Sequence, residues 1–326
     1  MDVRLTLSAA LLSLPLLAAT APVAGAPQPA PASASGAAGQ RLPPWTMPPP
    51  PPGVEIQKDL SYLAADRQET LDLYLPSTRA EGVRSPAVVI IHGGGWNTGD
   101  KARQREFVAG TTLALAGYVA ISIEYMKERD KRWPTNLFDC KNAVRWLRVN
   151  AAKLQIDPDH IGIIGGSAGG HLALMVGYTA GVKELEPDEP YPGVSDRVQA
   201  VVDMYGVTNL LTRQATEKDG TPNGQLREAG LFPDKRGENT DKWKLASPVY
   251  HVSTDSPPTL ILHGTTDPTV DRDQSYELGK TLNAAGVPHR LIMLQGVGHT
   301  FALLDKGVDV RVVVVTFFNT YLKPAK

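Results

Sequence analysis

The sequence predicts an α/β fold in which a mostly parallel sheet of eight strands carries helices on both faces. Runs rich in valine and isoleucine recur along the chain, and segments with helical periodicity separate them. Strands that alternate with helices are typical of a parallel sheet that is covered on two sides. The first two runs instead alternate apolar and polar residues, which predicts an antiparallel hairpin at the start of the sheet.

The eight strands follow from these runs in chain order. They are predicted at 54–60, 70–75, 87–91, 118–123, 160–164, 200–204, 259–262 and 290–294. The run at 87–91 is continuously apolar, as a strand buried on both faces should be. Helices are predicted at 104–116, 138–154, 170–181, 274–285 and 308–322.

Residues 181–249 interrupt this rhythm, apart from the strand at 200–204. The segment is rich in prolines and charges and has few apolar periods. Open α/β sheets bind ligands at the carboxyl ends of their strands, where an insertion of this kind would sit. We therefore expect part of it to form a cap or a wall of the binding site, and a long surface loop is the alternative.

The first 53 residues predict two segments that precede the folded domain at 54–326. Residues 1–26 contain an apolar run too short to cross a bilayer, with a basic residue before it and small residues after it. This pattern predicts a secretory signal peptide, and an uncleaved anchor is the alternative. Residues 27–53 are mostly proline, alanine, serine and glycine, which predicts an extended linker. We expect a secreted or periplasmic protein with no membrane span in the mature chain.

Composition narrows the range of partners. The 326 residues include 33 basic and 34 acidic ones, and the formal net charge is −1. No basic run stands out, so nucleic acid is not an expected partner. Cys140 is the sole cysteine, which excludes a disulfide within the chain. No Cys/His cluster has the spacing of metal ligands, so no metal is expected. The oligomeric state stays open.

A Gly-x-Ser-x-Gly run at 165–169 directly follows the predicted strand at 160–164. This is the pattern of a nucleophile elbow, a strand-to-helix turn so tight that small residues must flank the serine. The turn lifts the hydroxyl out of the backbone, where a base can reach it. Ser167 is therefore the predicted nucleophile.

A His-Gly-Gly-Gly run at 92–95 closes the strand at 87–91. Acyl transfer builds negative charge on a carbonyl oxygen, and backbone N–H groups already aimed at that oxygen stabilise it. Glycine lets the backbone approach closely, so the amides of Gly93 and Gly94, together with that of Ala168, are predicted to form an oxyanion hole. A flexible turn is the alternative. His92 is expected to brace the loop rather than to act as a base.

The base for Ser167 should be a histidine late in the chain. His299 follows Gly-Val-Gly, between the last predicted strand and the last predicted helix, where glycines free the backbone to bring the imidazole to the serine. His263 ends a strand near the predicted acid and is expected to be a buried, hydrogen-bonded side chain. His299 is the predicted base.

The acid should follow the strand at 259–262, and Asp267 lies in that loop. A carboxylate there accepts the Nδ1 proton of the histidine, fixes its tautomer and stabilises the imidazolium. Asp271 and Asp273 are close rivals that would otherwise cap the next helix, and Asp203 is a more distant one. The chain order Ser, Asp, His is the one found in α/β-hydrolases.

These motifs together resemble the hormone-sensitive-lipase-like branch of the α/β-hydrolases, and within it bacterial acetyl- and feruloyl-esterase-like proteins. The motifs are Asp-Leu-Tyr-Leu-Pro at 72–76, His-Gly-Gly-Gly-Trp at 92–96, Gly-Asp-Lys at 99–101, Gly-Gly-Ser-Ala-Gly-Gly-His at 165–171, His-Gly-Thr-Thr-Asp at 263–267 and Gly-His at 298–299. The resemblance runs from residue 54 to the carboxyl terminus. It implies an α/β-hydrolase fold with Ser167, Asp267 and His299 as the catalytic triad.

Two motifs depart from the family's pattern. Glu-Tyr-Met at 124–126 stands where such proteins usually carry a Tyr-Arg pair, and Val-Thr-Asn at 207–209 lacks an aspartate often found after the sixth strand. Both departures concern the walls of the substrate pocket. Trp96 and Tyr125 are candidates to line that pocket, and packing within the core is the alternative for each.

The resemblance implies a serine carboxylesterase that works through an acyl-enzyme and needs no cofactor. The expected substrates are small-molecule or carbohydrate esters with short acyl or aryl groups, such as acetyl or feruloyl groups on plant polysaccharide. A serine peptidase or amidase on the same fold is the main alternative, because serine acyl transfer cleaves either bond. A non-catalytic binding protein is a further alternative, although such proteins generally lose a triad member and none is missing here.

Overall fold

A computed structural model describes residues 45–80, 82–128, 131–225 and 230–323. The strands in these ranges are β1 (Val54–Ser61), β2 (Thr70–Pro76), β3 (Ser85–Ile91), β4 (Val119–Ile123), β5 (Ile156–Gly166), β6 (Ala200–Met204), β7 (Gln214–Thr216), β8 (Pro222–Gln225), β9 (Thr259–Gly264), β10 (His289–Leu294), β11 (Leu304–Asp305) and β12 (Val308–Asp309). The helices are α1 (Gln104–Leu115), α2 (Arg132–Val149), α3 (Ala151–Leu154), α4 (Ala168–Tyr178), α5 (Thr240–Leu245), α6 (Asp273–Ala284) and α7 (Arg311–Leu322).

Within the described ranges, one eight-stranded sheet has the order β1-β2-β4-β3-β5-β6-β9-β10. β2 pairs antiparallel with β1 and with β4, and the other neighbours pair in parallel. The predicted mostly parallel sheet of eight strands is therefore confirmed, as is the antiparallel hairpin at its start. β7 with β8, and β11 with β12, form two short ribbons that the sequence did not predict.

Helices cover both faces of the sheet because its central strands are apolar on both sides. In β3, Val89 and Ile91 join one core cluster, which also holds the buried residues of α2, α4 and α6. Val88 and Ile90 join a second cluster, which also holds the buried apolar residues of α1 and α7. Successive residues of a strand point to opposite faces, so these two clusters are the two sides of the sheet.

Helix bounds differ from the prediction where local pairing intervenes. α2 begins at Arg132, well before the predicted 138, and is kinked at Trp133, whose φ and ψ are −102° and 130°. The predicted single helix at 138–154 ends at Val149 and resumes as α3. α7 begins at Arg311 rather than 308, because Val308 and Asp309 pair with the ribbon strand β11 instead.

Residues 45–53, at the end of the predicted linker, are mostly exposed and form no helix or strand, but two of their side chains contact the folded domain. The Trp45 indole N–H donates to the Ala102 carbonyl over 3.1 Å, and its ring lies 6.3 Å from that of Phe107. Met47 packs against the same core cluster. The proline-rich composition of the segment predicts no such contacts, because they depend on these two apolar side chains alone. The predicted signal peptide and residues 27–44 lie outside the described residues.

None of the helices in the described ranges has both the length and the apolar character that a membrane span requires.

Helix α7 packs closely against Gly162 of β5. A methyl group at this position would lie 2.7 Å from Phe318 Cε1 and 2.8 Å from Leu322 Cδ1. Overpacking of this kind costs about 1–3 kcal/mol, so Gly162→Ala is expected to lower the free energy of unfolding by that amount. Urea denaturation measures the change.

Gly279→Ala is the matched control, because it adds the same methyl group to α6. The nearest heavy atom there, Leu291 Cδ2, is 3.8 Å from the added carbon, which is ordinary contact. Alanine favours a helix over glycine by about 1 kcal/mol, so this variant should be more stable than wild type. Equal shifts of the same sign in both variants would contradict the packing described here.

Candidate active site

Ser167 occupies the turn between β5 and α4 in a strained backbone conformation. Its φ and ψ are 58° and −121°, a region that residues other than glycine rarely adopt. The Ser167 amide donates to the Met204 carbonyl over 2.9 Å, which ties the turn to the end of β6. The predicted elbow thus places the hydroxyl at the carboxyl edge of the sheet.

The glycines on either side allow this turn to close. A methyl group at Gly165 would lie 2.2 Å from the Gly169 carbonyl oxygen, and one at Gly169 would lie 2.2 Å from that of Ile91. Real Cβ atoms do not approach so closely, so a side chain at either position would push the turn open. The two glycines also let α4 start directly against the end of β3.

The structure brings Ser167, His299 and Asp267 together. His299 Nε2 lies 2.9 Å from Ser167 Oγ, and His299 Nδ1 lies 2.6 Å from Asp267 Oδ2. The three residues come from the loops that follow β5, β10 and β9, whose carboxyl ends meet at one edge of the parallel sheet. Each distance is that of a hydrogen bond.

Asp267 is held in its ionised form by its surroundings. Its Oδ1 accepts the amides of Thr269 and Val270 over 2.8 and 3.0 Å, and His263 Nε2 stands 3.3 Å from Oδ2. Burial by itself would raise the pKa of Asp267. The contacts with His263, His299 and the Val270 amide outweigh burial and hold that pKa well below its ordinary value.

The rival acids lie elsewhere. Asp271 accepts the Gln214 amide over 2.8 Å, and Asp203 accepts the Gly206 amide over 3.0 Å, with burial raising the pKa of Asp203 to about 7. Asp273 opens α6. In the part of the chain that the structure describes, Asp267 alone among these carboxylates contacts His299. His263 is buried, as expected, and bonds Ser275 Oγ over 2.6 Å.

The predicted oxyanion loop lies against the nucleophile turn. A methyl group at Gly93 would stand 2.6 Å from the Gly166 carbonyl oxygen and 3.2 Å from Ser167 Cβ. Gly94 has a φ of +122°, which favours glycine. Ala168 is the first residue of α4, where backbone N–H groups have no acceptor within the helix. Gly93 therefore packs against the serine turn and Ala168 directly follows the serine, so the glycine loop adjoins the nucleophile turn.

His92 braces this loop from behind, together with Tyr125. The His92 ring bonds the Gly93 carbonyl through Nδ1 over 2.7 Å and stacks on the Tyr125 ring, with centroids 4.3 Å apart. The Tyr125 hydroxyl donates to the His92 carbonyl over 3.1 Å, and its side chain is fully buried. Tyr125 therefore packs beneath the loop, and its predicted place in the substrate pocket is corrected.

Glu124 fixes the same loop and was not singled out as a functional residue from the sequence. It accepts the Lys101 amide over 2.8 Å and pairs with the Lys127 ammonium, and His92 Nε2 stands 3.5 Å from it. Burial would raise the pKa of Glu124, but these partners outweigh it and lower the pKa to about 2. Glu124 thus places a partly buried anion behind the loop.

A cavity of about 500 Å³ opens beside Ser167 and His299. Its remaining lining residues are Gly94, Gly95, Trp96, Arg105, Ala168, Val207, Arg213, Gly230, Thr269 and Thr300. Trp96 is only 2% exposed and donates its indole N–H to His171 Nδ1 over 3.1 Å, so it both lines the cavity and packs. No His, Cys, Asp or Glu cluster in the described ranges is arranged to hold a metal ion.

Residues from the inserted segment 181–249 form part of this cavity. Val207, Arg213 and Gly230 line it, and the Arg132 guanidinium donates to the Gly230 carbonyl over 2.5 Å. The insertion therefore supplies part of the cavity wall.

Tyr205 is a further residue that sequence patterns missed. Its ring packs edge-on against His299, with centroids 4.8 Å apart, and its hydroxyl donates to the Phe301 carbonyl over 2.8 Å. It holds the histidine loop in place from a distant part of the chain, and no motif marks it.

The comparison with protein families places these features in a known group, since residues 71–282 match the BD-FAE family. The chain belongs to the BD-FAE family. Esterase LipQ from Mycobacterium tuberculosis is 32% identical over 228 residues, which are 70% of this chain and 53% of that protein. The chain spans about half the length of this relative and of two further Mycobacterium tuberculosis proteins that it matches.

Two solved structures share the fold of this BD-FAE member. A truncated carbohydrate esterase from gut microbiota has a TM-score of 0.71 and 30% identity, over 82% of this chain and 95% of that one. An acetyl ester-xyloside bifunctional hydrolase from Caldicellulosiruptor lactoaceticus has a TM-score of 0.63 and 27% identity, over 78% and 89%. The predicted α/β-hydrolase fold and its kinship with carboxylic ester hydrolases are confirmed.

The role of Glu124 can be tested through the pH dependence of stability. Glu124→Gln removes a partly buried carboxylate from charged and polar partners, so at pH 7 we expect it to lower the free energy of unfolding by about 1–3 kcal/mol. The folded pKa of about 2 lies below the ordinary 4.5. The stabilisation is therefore complete above pH 4.5 and is lost as the pH falls towards 2.

The measurement is urea denaturation of both proteins at several pH values, in which the difference between them should shrink in acid. Glu184→Gln, at an exposed position, serves as the control and should change little at any pH. A difference that stays constant from pH 7 to acid would show that the Glu124 charge does not hold the loop.

Proposed function

We propose that this protein is a serine carboxylesterase with Ser167 as nucleophile, His299 as base and Asp267 as the orienting acid. The observation that carries the proposal is the continuous line of hydrogen bonds from Ser167 Oγ through the imidazole to a buried carboxylate. Its ends are a strained serine turn and an aspartate whose low pKa keeps it charged. Such a line activates a hydroxyl for attack on a carbonyl carbon.

The reaction follows in two balanced halves. His299 Nε2 takes the Ser167 proton as Oγ bonds to the ester carbonyl carbon, and the resulting oxyanion faces the amides of Gly93, Gly94 and Ala168. The intermediate then collapses as the bond to the alcohol oxygen breaks and His299 returns the proton to the departing alcohol. Water repeats the sequence on the acyl-enzyme, which frees the acid and restores the serine.

We further propose short acyl or aryl esters as substrates, including acetyl or feruloyl groups on plant polysaccharide. A cavity of about 500 Å³ that opens to the surface suits a small acyl group on a larger alcohol. Support comes from the neighbours named for carbohydrate and acetyl ester-xyloside hydrolysis. An export signal at 1–26 would bring a secreted or periplasmic enzyme to such a polymer.

Ser167→Ala removes the proposed nucleophile. We expect wild type to hydrolyse p-nitrophenyl acetate and the variant to lose kcat by about 10⁴-fold or more, measured from nitrophenolate release. Ser77→Ala, at an exposed serine, is the control and should keep full activity.

A fluorophosphonate probe should label wild type at Ser167. Equal rates in wild type and Ser167→Ala would refute the proposed chemistry, and faster cleavage of p-nitroacetanilide than of the ester would favour the amidase alternative.

Asp267→Asn tests the choice of acid. An amide in this place no longer stabilises the imidazolium and permits the wrong tautomer, so kcat should fall by about 10³–10⁴-fold. Asp271→Asn is the matched control, because that side chain lies nearby but bonds the Gln214 amide instead. We expect it to retain most of the activity. A larger loss in Asp271→Asn than in Asp267→Asn would reverse the assignment.

A further inference from the structure

Two arginine side chains line the cavity beside Ser167, and the proposed ester chemistry uses neither. Arg105 comes from the first turn of α1, and Arg213 precedes β7 in the inserted segment. The two arginines are far apart in the sequence, and the fold places both at one cavity. A site that only had to hold a neutral ester would not need two cations.

Arg105 has a donor that no protein group uses. Its Nε donates to Glu106 over 2.8 Å and its Nη1 to the Tyr205 hydroxyl over 3.1 Å. Within the described residues, Nη2 has no hydrogen-bond partner, and it lies 3.2 Å from the point where a Gly93 methyl would be. Burial disfavours the charge of Arg105, but Tyr205 and Glu106 outweigh it and raise the pKa above its ordinary value.

Arg213 is less well compensated. Its Nη2 makes a long contact of 3.4 Å with the Thr269 carbonyl, and its Nε is buried without a partner. Among the described residues no carboxylate lies within ion-pair distance of it, and the Arg236 guanidinium donates to its backbone carbonyl over 2.7 Å. Burial lowers the pKa of Arg213, and the attraction of the more distant Asp271 and Asp267 does not make up the difference.

None of the described residues that line the cavity is an aspartate or a glutamate. Asp267 is bound by His299 and the amides of its own loop, and Glu106 by Arg105. The Asp271 carboxylate accepts the Gln214 amide. The described lining of the cavity therefore holds two guanidinium groups and no anionic side chain, and an anion that entered would offset the cost of burying these two cations.

The position of Arg213 indicates which part of the substrate carries that anion. In ester cleavage His299 must give its proton to the departing alcohol oxygen, so the alcohol lies on the His299 side of the serine. Arg213 contacts the carbonyl of Thr269, whose amide donates to Asp267, the partner of His299. Arg213 thus stands on the alcohol side.

We propose that Arg213, with Arg105 in the same cavity, binds a carboxylate on the alcohol portion of the ester. This inference rests on the proposed esterase function and names its substrate class. That class is short acyl esters of acidic alcohols, such as a sugar next to a uronic acid. Guanidinium pairs with carboxylate through two parallel, charge-assisted hydrogen bonds, which supplies both the affinity and the orientation.

The test compares two substrates that differ in charge and hardly in shape, 3-carboxyphenyl acetate and 3-carbamoylphenyl acetate. We expect wild type to favour the carboxylate in kcat/KM by about tenfold, the worth of a charge-assisted hydrogen bond. In Arg213→Gln this ratio should fall towards one, chiefly through KM. Arg213→Lys should keep part of it. Arg290→Gln, at an exposed position on β10, is the matched control and should keep all of it.

A binding measurement separates this inference from the esterase proposal. In Ser167→Ala, which cannot turn the esters over, 3-carboxyphenyl acetate should raise the melting temperature more than 3-carbamoylphenyl acetate, and adding Arg213→Gln should abolish the difference. If neither ester is hydrolysed but this difference is found, the esterase proposal fails and the carboxylate site stands. If both esters are hydrolysed with a ratio of one, or with a ratio that Arg213→Gln and Arg213→Lys leave unchanged, the carboxylate site is refuted and the esterase proposal stands.

Discussion

The tight turn between β5 and α4 is the constraint on which the candidate site depends. Gly169 lies so close to the end of β3, and Gly165 so close to the start of α4, that neither admits a side chain, and Ser167 between them takes a strained conformation. Neighbouring strands absorb that strain, since the Ser167 amide bonds the end of β6. The same closeness puts the glycine loop after β3 against the serine, so one piece of geometry arranges both nucleophile and amides.

Charge is placed around this turn in two layers. Behind the oxyanion loop, Glu124 is stabilised as an anion by Lys101, Lys127 and His92. In front of it, the cavity holds Arg105 and Arg213 with unused donors. The first layer satisfies its own charges and serves rigidity, whereas the second is left to be completed by a ligand. That contrast separates a structural ion pair from a recognition site.

Much of the fold could be predicted because short stretches of sequence determine its strands and turns. The apolar runs became the eight strands of one sheet, and the elbow and glycine motifs fell at the carboxyl ends of β5 and β3. Ser167, Asp267 and His299 each lie in a motif of a few neighbouring residues, and the structure joins them through the His299 imidazole. Their catalytic roles, the oxyanion donors and export stay predictions.

The sequence by itself determined the fold class and the chemistry-bearing motifs, because hydrophobic periodicity and glycine spacing act over short stretches of chain. Only the tertiary structure decided what surrounds them. Tyr125 packs beneath the loop and Trp45 lies against α1, while Arg213 and Arg105, more than a hundred residues apart in the chain, line one cavity. Such contacts depend on how helices and insertions pack on the sheet. Which side chains become buried, and which charges find partners, cannot be read from the order of residues along the chain.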